Sequence, residues 1–118
     1  MEITVLHNYF VELVVKYKVW FESRKGDFIL GPGGVRLLEA VDRLGSVRKA
    51  SIECGWSYKK ALDYINSLEE NLGFKATIRK RGGKGGGGTI LTEEAKKLVL
   101  KYKTIYTKIK EIIEEYDC

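Results

Sequence analysis

Histidine and cysteine are scarce: the 118-residue chain has one histidine, His7, and two cysteines, Cys54 and Cys118. The cysteines lie far apart and form no CxxC pair, so the spacing typical of zinc ligands is absent. Three such side chains cannot by themselves complete a four-ligand zinc site. His7 has no evident serine, cysteine or aspartate partner for catalysis. We therefore predict no metal site, no cofactor, no small-molecule site and no enzymatic activity.

Long apolar runs are also missing. No segment approaches the roughly 20 apolar residues of a membrane helix, and the longest candidate, Val11 to Phe21, contains Glu12, Lys16 and Lys18. The N-terminus does not have the basic and then apolar segments of a secretory signal. We expect a cytoplasmic protein with no membrane contact. The apolar content of 44% indicates a folded chain, and the length suits one domain.

Positive charge is concentrated in one segment. The chain carries 21 basic and 16 acidic residues, a net charge of +5. Five of the basic residues and no acidic residue lie between positions 75 and 88, so the remaining residues sum to zero: Lys75, Arg79, Lys80, Arg81 and Lys84. Such a localised charge is typical of a surface that binds a polyanion, although a solvated basic loop has the same composition.

The N-terminal third predicts a β-hairpin over residues 13–30. Apolar side chains alternate from Leu13 to Phe21, as in a strand with one buried face. A turn follows at residues 23–27, and Phe28 to Leu30 can form the returning strand. Gly31-Pro-Gly-Gly34 then ends the strand structure.

Three helices are predicted next. Apolar spacing indicates a first helix from Gly33 to Leu44, which Gly45 ends in a left-handed conformation. Ser46 is a good N-cap for a short second helix, and Ser57 for a third that ends near Gly73. Ser51 and Gly55 are small, which predicts a close crossing of the second and third helices.

A second hairpin is predicted over residues 75–91. Phe74, Ala76 and Ile78 alternate as a strand, and Thr89 to Leu91 can return after a glycine-rich loop. The loop is not a P-loop, because Lys84 is followed by glycines and a strand instead of Ser or Thr and a helix. Helix, tight turn, helix and basic hairpin follow the order of a winged helix-turn-helix, with the wing tip between Arg79 and Gly88. A linker without function is the alternative for the loop.

The last predicted helix, capped by Thr92, is the longest. Its apolar stripe is regular from end to end: Ala95, Leu98, Tyr102, Ile105, Ile109, Ile112 and Tyr116. About 25 residues give a helix about 37 Å long, which exceeds the width of a small domain. We expect residues 92–118 to form a homodimer, with residues 1–91 as the DNA-binding domain. The alternative is that the whole stripe packs on the N-terminal hairpin.

Acidic side chains on the first three helices are expected on solvent-facing surfaces, paired within their own helix. They are Glu39, Asp42, Glu53, Asp63, Glu69 and Glu70.

The motifs together resemble a known family. Gly45-Ser46, the Ser57-Tyr58-Lys59 helix start and the segment Arg81-Gly-Gly-Lys-Gly-Gly-Gly-Gly-Thr-Ile-Leu-Thr92 are similar to the N-terminal DNA-binding domain of ModE-type molybdate-responsive regulators. That domain is of the LysR-like winged-helix type. The resemblance, over about residues 34–100, implies a dimeric regulator that binds an inverted-repeat operator, with a link to molybdate or tungstate metabolism. The sequence ends at Cys118, after the long helix, and no oxyanion pocket carries over onto its residues.

The sequence thus predicts a mainly α fold with little β structure: a winged helix-turn-helix with an N-terminal β-hairpin and a long C-terminal dimerisation helix. We expect it to be a transcription regulator that binds double-stranded DNA. Ser57, Lys59 and Lys60 are expected at the major groove, and Arg79, Arg81 and Lys84 on phosphates. Tyr58 is predicted either to contact DNA or to cover the core. The alternative function is a protein-interaction adaptor with the winged helix as scaffold.

Overall fold

The computed structural model describes residues 13–80 and 88–116. Within these ranges the chain forms a short hairpin, three helices, a second hairpin and a long helix. The elements in order are β1 (Phe21–Glu22), β2 (Phe28–Leu30), α1 (Pro32–Leu44), α2 (Val47–Cys54), α3 (Tyr58–Leu72), β3 (Thr77–Lys80), β4 (Gly88–Leu91) and α4 (Glu93–Tyr116). The strands pair antiparallel as β1–β2 and β3–β4. The predicted winged helix-turn-helix with a long C-terminal helix is confirmed.

Local capping determines where the helices begin. Pro32 opens α1, where its missing N–H costs nothing. The Ser46 hydroxyl accepts a hydrogen bond from Lys49 N at 3.0 Å, and the Ser57 hydroxyl accepts one from Lys60 N at 3.0 Å. Thr92 Oγ1 accepts a hydrogen bond from Ala95 N at 3.1 Å and so caps α4. All three predicted N-caps are confirmed.

The turn between α2 and α3 is tight for a reason other than the one predicted. Ser51 is buried, as expected, and its hydroxyl donates to the Arg48 carbonyl oxygen at 2.7 Å. Gly55 has open space where a Cβ would lie, so close helix packing does not require it. It is needed because it ends α2 with φ +74°, a left-handed conformation that side chains other than glycine rarely adopt.

Helix α1 lies at the centre of the core. Leu37, Leu38 and Val41 are completely buried, together with Leu30 of β2. They pack against apolar side chains of α2, α3, β4 and α4, among them Ala50, Ala61, Ile65, Leu68, Leu91, Ala95 and Val99. The two hairpins and α4 are therefore joined to the helix-turn-helix through one apolar cluster.

Gly34 allows the closest approach between α1 and α3. A Cβ at this position would lie 1.8 Å from the Tyr64 hydroxyl oxygen and 2.5 Å from the ring carbon that bears it. Tyr64 in turn packs edge-on against Trp56, with ring centroids 5.4 Å apart. Burial raises the pKa of Tyr64 to about 12, so its hydroxyl stays protonated well into the alkaline range.

The first hairpin is shorter than the predicted strand from Leu13 to Phe21. Only Phe21 and Glu22 pair with β2, which is three residues long and ends where α1 begins. Residues 13–20 have no strand partner, and the Leu13 side chain is 79% exposed. Only the later part of the pattern packs on α4: the Tyr17 ring lies 5.8 Å from Tyr106 and the Phe21 ring 5.3 Å from Tyr102, and Tyr102 donates a hydrogen bond to the Val19 carbonyl oxygen at 2.7 Å.

Strand β3 also begins later than predicted, at Thr77 instead of Phe74. Of the three alternating residues only Ala76 is buried, whereas Phe74 and Ile78 are exposed. The hairpin β3–β4 extends from the helices as a two-stranded unit, with Thr77 opposite Leu91 and Lys80 opposite Gly88. Ile78 consequently has no apolar layer to pack against on the outer part of the hairpin.

Helix α4 is covered unevenly. Its first half is in the core through Ala95, Val99 and Tyr102. Towards its end Ile112 is 58% and Tyr116 77% exposed. The long dimension of the molecule is 64 Å, against 34 and 23 Å in the other directions.

We expect Gly34→Ala to lower the free energy of unfolding by about 1–3 kcal/mol, because the added methyl group displaces the Tyr64 ring. The measurement is urea unfolding followed by circular dichroism. Gly33→Ala is the matched control in the same helical turn, since its Cβ would meet Trp56 at an ordinary 3.4 Å. Equal stability of the two variants would contradict the close packing.

Candidate nucleic-acid interface

The N-terminus of α3 presents three of the predicted contact residues. Ser57, Lys59 and Lys60 are all exposed. The Lys59 ammonium group pairs with Asp63 one turn later at 2.8 Å, and this hydrogen bond raises the pKa of Lys59. The Lys60 ammonium group lies 4.6 Å from the centroid of the Trp56 ring. The polar end of α3 therefore carries two cations whose long side chains are held along the helix surface.

Tyr58 does not belong to the core cluster. Its ring is half-buried, and the Arg48 guanidinium carbon lies 4.1 Å from the ring centroid. Arg48 is in the first turn of α2, so this contact joins the two helices of the motif on their outer side. Of the two predicted positions for Tyr58, the geometry places the ring at the surface, under an arginine.

The C-terminal end of α3 holds the start of the wing. The Glu69 carboxylate accepts hydrogen bonds from Ala76 N at 2.8 Å and Thr77 N at 3.2 Å. The Glu69 side chain is only 13% exposed, and Lys75 lies 3.7 Å from its other oxygen. The Thr92 hydroxyl donates to the Lys75 carbonyl oxygen at 2.8 Å. The two ends of the wing are thus fixed close to each other and to α3.

The returning strand β4 is held by the end of α1. Asp42 Oδ1 accepts a hydrogen bond from Leu91 N at 3.0 Å, and the Gly45 carbonyl oxygen accepts one from Thr89 N at 2.8 Å. A Cβ on Gly88 would lie 2.8 Å from that same carbonyl oxygen, so only glycine fits. The direction of the wing is therefore set by α1 and α3 together.

A groove of about 760 Å³ lies between the wing and the helix-turn-helix. Its walls are the start of α2, the outer side of α3 and the two wing strands. Four basic residues line it, with Tyr58 and Asn66 between them: Arg48, Lys75, Arg79 and Lys80. Glu69 also lines the groove and pairs with Lys75, so the lining carries a net positive charge, which attracts a polyanion.

Arg79 is the one predicted phosphate contact that the described ranges include. It is exposed on β3, opposite Thr89. Arg81 and Lys84 lie outside the described residues. The structure thus brings Tyr58 and Arg79 to one groove, with Ser57, Lys59 and Lys60 at the adjacent end of α3.

The prediction that the helix acids are only solvated surface charges is wrong for several of them. Glu69 and Asp42 bind wing amides, as described above. Glu53 of α2 pairs with Arg43 of α1, which lowers the pKa of Glu53, and Glu39 of α1 pairs with Lys103 of α4. Asp63 alone forms the expected pair within its own helix. These acids join elements, which spacing along one helix cannot reveal.

Sequence reasoning also missed Arg48. The available signal was two basic residues, Arg48 and Lys49, directly after the Ser46 cap. They lie outside the basic segment at 75–88, and a cation on a short helix does not by itself indicate a binding role.

No group of three or more metal-binding side chains occurs among residues 13–80 and 88–116. In that same part of the chain no helix combines the length and apolarity needed to cross a membrane.

The capped helices, the left-handed turn and the anchored basic wing define a winged helix-turn-helix protein. Residues 33–96, more than half of the chain, match the family of bacterial regulatory helix-turn-helix proteins of the LysR type. The chain belongs to this family. The match spans α1, both helices of the motif, the wing and the start of α4.

Several relatives are regulators or molybdenum proteins. The chain is 33% identical to the molybdenum-pterin-binding protein MopB of Rhodobacter capsulatus over 88 residues, which are 75% of this chain and 33% of that protein. It is 37% identical to the molybdenum transport protein ModE of Azotobacter vinelandii over 71 residues, covering 60% and 26%. It is 35% identical to the DNA-binding transcriptional dual regulator ModE of Escherichia coli K12 over 71 residues, covering 60% and 27%. The chain spans about a quarter to a third of these proteins, and the predicted resemblance to ModE is confirmed.

We expect Glu69→Ala to loosen the wing, because two amides lose their acceptor. The free energy of unfolding should fall by about 1–3 kcal/mol, and amide hydrogen exchange at Ala76 and Thr77 should accelerate. The neighbouring, exposed Glu70 changed to Ala removes the same charge and should leave this exchange unchanged. Equal exchange in the two variants would contradict the anchoring role.

Proposed function

We propose that this chain is a sequence-specific DNA-binding transcription regulator. The observation that carries the proposal is the anchoring of a basic wing beside the exposed N-terminus of α3, with a positive groove between them. In helix-turn-helix proteins the second helix of the motif enters the major groove and adjacent elements contact the backbone. Membership of a regulatory family supports the same activity.

The contacts divide by chemistry. Ser57, Lys59 and Lys60 lie where the first turn of α3 would face base edges. We therefore assign to them the recognition of the DNA sequence. The pair between Lys59 and Asp63 is exposed and screened by solvent, so Lys59 can leave it at little cost. Changing Ser57 or Lys59 should consequently alter which sequence is preferred.

The wing is assigned to phosphate binding through Arg79, Arg81 and Lys84. Arg81→Ala combined with Lys84→Ala should weaken binding to every duplex and reduce the slope of log K against log salt by about two. Mobility-shift titrations at several salt concentrations measure this slope. Arg24→Ala combined with Lys25→Ala removes two exposed charges from the turn between β1 and β2 and is the matched control. A slope that stays at the wild-type value in the wing variant would contradict the assignment.

The regulator is further proposed to act as a homodimer through α4, which suits an inverted-repeat operator. The apolar stripe continues through Ile105, Ile109, Ile112 and Tyr116, beyond the part of α4 that packs on the core. Charge supports an antiparallel arrangement. After its acidic first turn α4 is basic, and its end is acidic, so opposed helices bring opposite charges together: Lys96, Lys97 and Lys101 against Glu111, Glu114 and Glu115.

Ile112→Glu should convert the dimer to monomers, because a carboxylate in the apolar stripe loses its hydration on pairing. Sedimentation equilibrium measures the change. Lys110→Glu, on the opposite side of the same turn, should keep the dimer. A wild-type protein that sediments as a monomer at micromolar concentration would refute the dimer.

The exposed stripe also fits a protein-interaction adaptor, in which α4 binds a different protein and the winged helix is a scaffold. A mobility-shift assay separates the two functions. A preference for one duplex that persists at moderate salt supports the regulator, whereas no binding to any duplex supports the adaptor.

A link to molybdenum metabolism completes the proposal. It rests on the names of the relatives: one is a molybdenum-pterin-binding protein, one a molybdenum transport protein and one a transcriptional regulator. Selection of bound fragments from genomic DNA should recover sites near genes for molybdate or tungstate uptake or use. Sites unrelated to these genes would remove the link and leave DNA binding intact.

A further inference from the structure

Arg48 is an exposed arginine held in a defined position. Its guanidinium group lies over the Tyr58 ring at 4.1 Å, well inside the distance at which a cation and an aromatic face attract each other. None of the salt bridges formed within residues 13–80 and 88–116 involves Arg48. The Tyr58 ring therefore holds the guanidinium group in position, but no carboxylate of the described residues neutralises its charge.

Tyr58 is suited to be the support of this arginine. Tyr58 is the first residue of α3, directly after the Ser57 cap, and its side chain lines the same groove as Arg48. An arginine that is already stacked loses less conformational entropy when it binds an anion than one that moves freely.

The position of Arg48 indicates which part of DNA it meets. It lies on α2, the first helix of the motif, and in helix-turn-helix complexes this helix crosses the sugar-phosphate backbone. Across the groove from it lie Arg79 and Lys80 of the wing. With cations on both walls of the protein groove, the protein can contact the two DNA backbones that border the major groove in which α3 would lie.

We infer that Arg48 binds a DNA phosphate and that Tyr58 is its positioning residue. This inference rests on the proposed DNA-binding function. It adds a contact outside the basic segment at 75–88 and gives Tyr58 a role distinct from base reading. The two residues then act as one unit, so their effects on affinity should not add.

The test is a double-mutant cycle measured by mobility shift on a duplex that the wild-type protein selects. Arg48→Ala should weaken binding roughly tenfold and reduce the salt slope by about one, equally for preferred and random duplexes. Tyr58→Leu keeps apolar bulk but removes the aromatic face, and it should weaken binding by several-fold. The double variant should bind as Arg48→Ala does.

Two further variants separate positioning from direct contact. Tyr58→Phe keeps the ring and should bind as the wild type does, whereas a loss equal to that of Tyr58→Leu would show that the hydroxyl itself is needed and overturn the positioning role. Additive losses in the double variant would also overturn it. Arg24→Ala, an exposed arginine in the turn between β1 and β2, is the control for charge loss and should leave the affinity nearly unchanged.

The outcomes distinguish this inference from the function on which it rests. If the wild-type protein binds no duplex, the proposed function fails. If the wild-type protein binds and Arg48→Ala binds equally well with the same salt slope, the function stands and the Arg48 contact is refuted. Circular dichroism of each variant verifies that these surface changes leave the fold intact.

Discussion

Hydrogen bonds from the wing to the helices are the interactions on which the candidate interface depends. A two-stranded hairpin is barely stable by itself in water, and β3–β4 has no further strand beside it in the described structure. Its amides instead bond to Glu69 of α3, Asp42 of α1 and the carbonyl oxygen of Gly45. Because α3 both anchors the wing through Glu69 and presents Ser57, Lys59 and Lys60 at its start, the wing and the start of α3 keep a fixed relation to each other.

The same anchoring explains how charge is distributed over the surface. The carboxylates of Asp42 and Glu69 accept hydrogen bonds from wing amides, and Glu69 also pairs with Lys75, while Arg79 and Lys80 of the wing are exposed. Two further acids, Glu53 and Glu39, pair with Arg43 and Lys103. The groove therefore keeps a positive lining in a chain whose charge outside residues 75–88 sums to zero.

Features that depend on a few neighbouring residues could be predicted from the sequence. The caps at Ser46, Ser57 and Thr92 and the helix stop at Gly45 are of this kind, since each is a bond or a conformation within one turn. The order of these elements was enough to predict the winged helix-turn-helix.

Features that depend on distant parts of the chain could not be predicted. The alternation from Leu13 to Phe21 is typical of a strand, yet Tyr17 and Phe21 pack against α4, about 80 residues later. Glu69 has the spacing of a solvated helix acid, and only the position of Ala76 and Thr77 shows its role. The contact between Arg48 and Tyr58 joins two helices and leaves no periodic trace in the sequence.

The central claim is that the start of α3 and the anchored wing form one DNA-binding face. Hydrogen-exchange mass spectrometry, with and without a duplex selected from genomic DNA, tests it most directly. We expect exchange to slow in residues 46–60 and 75–91 together when the duplex is bound. Protection confined to residues 100–116 of α4, with no change in residues 46–60 or 75–91, would contradict a DNA-binding face formed by α3 and the wing.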